Sequence, residues 1–348
     1  MGITRRRPGP VVSGPDSFRM SGERVFRMDG QVENDGKIIT VGLSPAWDIS
    51  CRGRDLEWGR HATIEEQTVR PAGKALNVSR ALAWMGVANI AAGLWGRDDH
   101  DEMKAAMARR GESIQVQMTA AEGRTRRNVT IVDSFRGREM HLRATSVLAS
   151  ADSLRKLRTD LDGLIGPGDV CVFAGAMPTG ELLAPTIGLV ETCRQRQARV
   201  VVDTHGPVLK KIVDAGLAWT IAPNVEEFRE LIGAEVEDAL ARLAEAGRAL
   251  LRRVGAVLIS RGSKGAMLVT AGGVWTGAVT TERPVLSTVG CGDYLLAGFL
   301  AGHRLGDPDP RAALAGALKA ATAHAWGWTE TKSWREVDKE IAVIIELL

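Results

Sequence analysis

Paired cysteines are missing from this chain, and so are the two glycine signatures that most often announce a nucleotide site. The four cysteines, Cys51, Cys171, Cys193 and Cys291, include no C-x-x-C spacing, and the six histidines form no ligand pattern with them. The spacing therefore indicates neither a zinc site nor a disulfide framework, and a reducing cytoplasm fits this cysteine usage best. The Walker pattern needs Gly-Lys followed by Ser or Thr, whereas Gly73-Lys74 is followed by Ala75; the dinucleotide fingerprint needs a third glycine where Leu295 stands. No apolar run of signal-peptide or transmembrane length opens the chain, so no membrane partner is expected. Arg5-Arg6-Arg7 is followed by no hydrophobic stretch, which argues against twin-arginine export. Charge of one sign is scarce as well. The net charge of +3 is small for 348 residues, and much of the excess sits in an arm, residues 1–36, rich in Arg, Gly, Pro and Ser. The arm is expected to be disordered, and the body suggests no nucleic-acid partner.

What is present is the material for a large core: 45% of the residues are apolar. From residue 150 onward strand and helix alternate regularly, as helix 151–165, strand 170–173, helix 180–196, strand 200–203 and helix 207–216. That alternation predicts an α/β fold with a mostly parallel sheet. Earlier, residues 37–43 read as a buried strand, 61–69 as a half-exposed strand, 89–94 as a strand followed by a helix, and 125–143 as a hairpin. Later, 257–269 reads as strand, glycine turn and strand, and helices are expected at roughly 309–327 and 333–347.

The candidate chemistry gathers at strand ends and helix starts. Thr288-Val289-Gly290-Cys291-Gly292-Asp293 precedes the apolar run 294–301, so a helix is expected to begin there with two glycines leaving its first N–H groups open to an anion. Asp293 then stands where a carboxylate could take a proton from an attacking hydroxyl, although a helix cap looks the same in sequence. Asp48 ends a strand–turn segment and could accept from a polyol, though a solvated turn aspartate is the commoner reading. Lys74 and Asn77 lie one turn apart at a helix start; a lysine there opposes the helix dipole unless an anion is present. Of Arg126 and Arg127, one could fork onto a phosphate while the other stays solvated. Asn224 and Glu227, at i and i+3, could face one Mg²⁺ or form a capping box. Gly262 and Gly265 could let a ligand approach the backbone, or merely turn a hairpin.

Taken in order, Gly73-Lys74-x-x-Asn77, Asn224-x-x-Glu227, Ser260-x-Gly262 and Gly290-x-Gly292-Asp293 resemble the ribokinase-like (PfkB-type) carbohydrate kinases. The resemblance runs from Lys37 to about Thr329. Residues 44–48 and 125–129 are most similar to the branch that phosphorylates sugar phosphates, such as 1-phosphofructokinase and tagatose-6-phosphate kinase. It implies a three-layer α/β/α fold in a domain spanning 37–348, with a small β-sheet lid formed by strands near 50–70 and 126–143, and a homodimer through that lid. It implies ATP and Mg²⁺ as cofactors and a sugar phosphate as acceptor. Asp293 would be the general base, with Gly290, Cys291 and Gly292 holding the transferred phosphate. Asp48, Gly73 and Asn77 would bind sugar hydroxyls, and Lys74 with Arg126 the phosphate already on the substrate. Asn224, Ser260, Gly262, Gly265 and Thr288 would hold the nucleotide, and Asn224 with Glu227 the metal. Several positions depart from the family pattern. Ala174 and Ala176 replace serines, Ala222 a lysine, and Ala72 and Ala75 glycines. Cys291, Tyr294 and Trp47 replace an alanine, a small residue and a leucine, which is expected to narrow the pocket. A kinase of an unphosphorylated sugar or nucleoside, and a non-catalytic sensor that keeps the fold, are the competing readings.

Overall fold

The computed structural model describes residues 36–109, 113–280, 283–304 and 309–348. All but the last residue of the basic arm lies outside them. Continuous burial marks the central strands: β1 (Ile38–Gly42) and β4 (Asn89–Gly96) are buried at every position. Strands covered on both faces by helices behave in this way. The remaining strands are β2 (Ala46–Gly53), β3 (Ile64–Ala72), β5 (Ile114–Ala121), β6 (Arg127–Asp133), β7 (Arg138–Leu142), β8 (Val170–Ala174), β9 (Arg199–Asp203), β10 (Thr220–Ile221), β11 (Ala256–Ser260), β12 (Ala266–Thr270), β13 (Gly273–Val279) and β14 (Val343–Leu347).

Ten of them form one sheet, in the order β14-β13-β12-β11-β10-β9-β8-β1-β4-β5. Pairing is parallel from β5 through to β11 and antiparallel from β11 to β14. Helices cover both faces. One core layer packs α3 (Ala151–Leu164), α4 (Leu183–Gln195), α5 (Gly206–Asp214), α6 (Val225–Ile232) and α7 (Leu240–Leu250) on the sheet. The other packs α1 (Lys74–Trp84), α8 (Cys291–Arg304) and α9 (Pro310–Ala325). Two further helices are α2 (His100–Ala108) and α10 (Trp334–Glu340). This is the three-layer α/β/α arrangement. Because the chain runs outward from β1 through β4 to β5 and then returns to β8 on the other side, β1 and β8 flank a topological switch point. Ligands of such sheets bind beyond the carboxyl ends of those strands.

A second sheet, β3-β2-β6-β7, stands over that edge. Residues 43–45 join it to β1 of the large sheet, and Gly73 joins it to α1. Arg126 fastens the junction: its guanidinium donates to the carbonyls of Pro45 at 3.1 Å, Ser44 at 3.0 Å and Ala144 at 2.8 Å.

The C-terminus corrects the sequence reading. The helix expected over 333–347 stops at Glu340, and Val343–Leu347 pairs as a strand with β13, from Val279↔Val343 to Trp275↔Leu347. Ile341, Val343, Ile344 and Ile345 crowd this segment with β-branched side chains, stiff at χ1 and suited to a pleated surface, and the free edge of β13 supplies backbone partners. Strands β5 and β13 are further elements that the sequence reading did not single out.

Candidate active site

The centre of the site is the start of α8. Gly290 takes φ +86°, a left-handed value open to glycine, and a Cβ there would press on His324 at 3.0 Å. The turn it makes delivers Cys291 and Gly292 into the first helical turn, where backbone N–H groups have no partner within the helix and the dipole is positive. Space beside Gly292 is open, with nothing within 4 Å of an added Cβ. Asp293 lies at the mouth of this cradle, 4% exposed. Asn77 Nδ2, from the first turn of α1, donates to Asp293 Oδ2 at 2.7 Å. Burial and then the charge of Asp203 push the Asp293 carboxyl up to about 7, against the opposing pull of Asn77 and Lys74.

Lys74 Nζ sits 3.0 Å from Asp203 Oδ1 at the end of β9. Burial works against its ammonium, but Asp203, helped by Asp293 and Glu227, overcomes that and raises its pKa above the ordinary lysine value. The lysine that the dipole argument assigned to a ligand anion thus has a protein carboxylate as its partner. Asp203 closes β9 and opens one of the strand-end loops that the alternation of strand and helix predicts at the ligand edge, though spacing alone gives it no partner.

One cavity of about 1680 Å³ joins these groups. A pocket for one drug-sized ligand occupies roughly 300–1,000 Å³, so this cavity has room for two ligands side by side. Asp48, Gly73, Lys74, Asn77, Arg126, Asn224, Glu227, Ser260, Gly262, Gly265, Thr288, Gly290, Cys291, Gly292 and Asp293 all line it. At the small-sheet end, Asn128 Nδ2 donates to Asp48 Oδ1 at 3.0 Å. Arg126 faces the cavity, and burial lowers its pKa, opposed by the charge of Asp48 and aided by that of Arg143. Arg127, the first residue of β6, is exposed and does not line the cavity. Four arginines that the sequence did not point to, Arg52, Arg70, Arg143 and Arg283, also line it.

At the other end, Asn224 and Glu227 cap α6 reciprocally: Asn224 N–H donates to Glu227 Oε2 and Glu227 N–H to Asn224 Oδ1, both at 2.9 Å. A parallel bridge sets Asn224 beside Ser260. Gly265 is required by packing, because a Cβ there would fall 1.9 Å from the Gly277 carbonyl oxygen. Among the described residues no three His, Cys, Asp or Glu side chains cluster as metal ligands. A magnesium ion that keeps several waters and binds through one or two carboxylates and substrate phosphates needs no such cluster, and Glu227 at the cavity wall fits that donor set. Trp47 and Tyr294, expected to narrow the pocket, do not line it. Trp47 is buried, donates to Asp99 Oδ2 at 2.8 Å and packs edge-on against Trp95. Cys291 does line the cavity, and burial followed by Asp293 raises its thiol to about 11.

The chain is 27% identical over 273 residues to the 1-phosphofructokinase of Vibrio cholerae, covering 77% of this chain and 83% of that protein. It is 30% identical over 280 residues to the 1-phosphofructokinase of Rhodobacter capsulatus, covering 78% and 84%. Among solved structures, Escherichia coli phosphofructokinase-2 in complex with potassium superposes with a TM-score of 0.80 at 20% identity, over 87% of this chain and 97% of that one. The same enzyme in complex with fructose-6-phosphate gives 0.77 at 20% identity, over 87% and 97%. At such identity these two speak for the fold alone. The pattern of the pfkB family carbohydrate kinases matches residues 37–325, and the chain accordingly belongs to that family of ATP-dependent carbohydrate kinases.

Proposed function

We propose that this protein transfers the γ-phosphoryl group of ATP to a hydroxyl of a ketose phosphate, in the manner of a 1-phosphofructokinase, converting fructose 1-phosphate to fructose 1,6-bisphosphate. The observation that carries the reading is the setting of Asp293. It is a buried carboxylate with a pKa of about 7, fixed by Asn77, one residue beyond an open turn of backbone donors. A base poised near the working pH removes the acceptor hydroxyl proton most effectively. Gly290, Cys291 and Gly292 hold the transferred group through their N–H donors, and Lys74 offsets charge beside it. Ser260, Gly262, Gly265, Thr288 and Asn224 form the nucleotide wall. Mg²⁺, held by Glu227 with Asn224, would supply charge neutralisation at the phosphates when bound. Asp48, Gly73 and Asn77 orient the sugar, and Arg126, with Arg143 near it, receives the phosphate already on the substrate. The relatives named 1-phosphofructokinase support this choice of acceptor.

One observation favours a second reading, a kinase of an unphosphorylated sugar or nucleoside. Lys74 is paired with Asp203, and Arg126 is tied to three main-chain carbonyls. ATP turnover with Mg²⁺ across fructose 1-phosphate, tagatose 6-phosphate and the free ketoses separates the two. The proposal expects the highest kcat/KM on fructose 1-phosphate; equal or better efficiency on a free sugar overturns it. Ligand binding without turnover would instead identify a sensor. We also propose a homodimer through the small sheet, whose β3 is exposed from Ile64 to Arg70, with Ile64 and Val69 among the exposed apolar side chains. A monomer by sedimentation at micromolar concentration would contradict it.

A further inference from the structure

We propose that His324 is a positioning residue for phosphoryl transfer: its imidazole braces the Val289–Gly290 turn from behind and so fixes the direction in which the first N–H groups of α8 point. The inference rests on the reading above, in which those N–H groups hold the transferred group beside Asp293.

His324 stands near the end of α9, with Nε2 3.0 Å from the Val289 carbonyl oxygen and Nδ1 3.3 Å from Thr329 Oγ1. A carbonyl only accepts, so Nε2 carries the hydrogen and Nδ1 is left to accept from the Thr329 hydroxyl. Burial, aided by Arg70, lowers the His324 pKa against the opposing influence of the Val289 carbonyl and Glu330, which favours this neutral form. The ring lies flat on Tyr294, at 4.0 Å between centroids and 8° between planes, and Tyr294 in turn packs edge-on against Trp84. Tyr294 follows Asp293 directly, so the stack ties the imidazole to the first turn of α8 as well as to the residues before it.

The rest of the turn is held loosely. Val289 is 55% exposed, and its N–H donates only to the nearby Ser287 hydroxyl, at 3.2 Å. Cys291 N–H reaches Thr288 O at 3.3 Å. The incoming segment hangs on the end of α9, where Leu286 and Ser287 N–H point at the Ala325 carbonyl. His324 therefore supplies a side-chain donor from outside the turn, and the close approach of its Nε2 to the Gly290 position sets how far the turn can fold back. Tyr294 acts through His324: in this chain an aromatic ring after the catalytic aspartate serves as a backing plate rather than as a wall of the pocket.

Two substitutions separate bracing from bulk. His324→Phe keeps a flat ring on Tyr294 and removes the donor. His324→Gln restores an N–H at the same number of bonds from Cβ. The proposal expects His324→Phe to lower kcat about tenfold, the scale of a sub-ångström misplacement of reacting groups, with KM for ATP and sugar within about twofold. His324→Gln should recover most of that loss, and both variants should keep a wild-type melting temperature. Hydrogen exchange of the 286–292 segment without substrates gives an arm independent of turnover: faster in His324→Phe, restored in His324→Gln. Wild-type kcat in His324→Phe overturns the brace while leaving the kinase reading intact, and so does a glutamine variant no better than phenylalanine. If the wild-type protein turns over no sugar, the kinase reading fails, and unchanged exchange in His324→Phe then overturns the brace separately.

Discussion

Asp293 and Arg143 line the same cavity, yet the first is 4% exposed with a fixed amide partner, and the second is exposed with no hydrogen bond or ion pair among the described residues. The contrast extends to their surroundings. The α8 end is built from a parallel-sheet edge and two packed helices, and its polar side chains have fixed partners: Asn77 with Asp293, Lys74 with Asp203, and His324 with the Val289 main-chain carbonyl. The small-sheet end offers Arg70, on β3, and Arg143, just past β7, both exposed, while Arg126 is held by three main-chain carbonyls. On the reading proposed above, chemistry that depends on sub-ångström placement would sit where packing fixes it, and recognition of the variable part of a substrate where side chains can still adjust.

The sharpest test of the rigid end is Asp293→Asn. Loss of a positioned base should lower kcat by roughly 10²–10⁴ with little change in KM. The wild-type rate should rise with pH through about 7 as Asp293 loses its proton. Stability should move the opposite way. Between the ordinary carboxylate value of 3.8 and about 7 the folded chain keeps a proton that the unfolded chain has released, so raising the pH through that window destabilises the fold. Asparagine has no charge to bury, and at pH 8 the variant should melt at higher temperature, with a ceiling of roughly 4 kcal/mol from about 1.4 kcal/mol per pH unit. A variant with unaltered turnover would end the assignment of Asp293 as base.

At the adaptable end, Arg126→Ala should reduce kcat/KM for a phosphorylated ketose roughly 10–100-fold while barely altering activity on the free sugar. It should also destabilise the fold by about 1–3 kcal/mol, since three carbonyls lose their donor. Should Arg143→Ala or Arg70→Ala carry the discrimination between phosphorylated and free sugar instead, Arg126 is a fastener only. The smallest effect expected is that of Glu227→Gln. Glutamine completes the capping box with Asn224, so folding should be preserved while the Mg²⁺ concentration for half-maximal rate rises a few-fold. An unchanged metal requirement would return Glu227 to its capping role.

The parts legible in the sequence were those written locally. Gly290, Gly292 and Asp293 lie within four positions, and Lys74 and Asn77 within one helical turn, so spacing alone placed them at helix starts. Asp203 reaches Lys74 across 129 positions, and His324 reaches Val289 across 35. Such pairs are created by the crossing of elements, and periodicity carries no record of them. The C-terminal strand was misread for another reason: Ile341 to Leu347 has apolar residues that suit a helix face as well as a strand, and the free edge of β13 decided between them. Trp47 and Tyr294 illustrate the same limit, because residue size could be read from the sequence and side-chain direction could not.

The Arg126 junction has a thermodynamic consequence. Its guanidinium holds residues 44, 45 and 144 together and faces the cavity. An anion that draws the group inward must compete with those carbonyls, so part of its binding free energy goes into loosening the seat of the small sheet. Linkage makes the exchange reciprocal: whatever seats that sheet more firmly weakens the anion's grip by the same factor. If the substrate's phosphate is that anion, its affinity and the docking of the small sheet are two readings of one equilibrium.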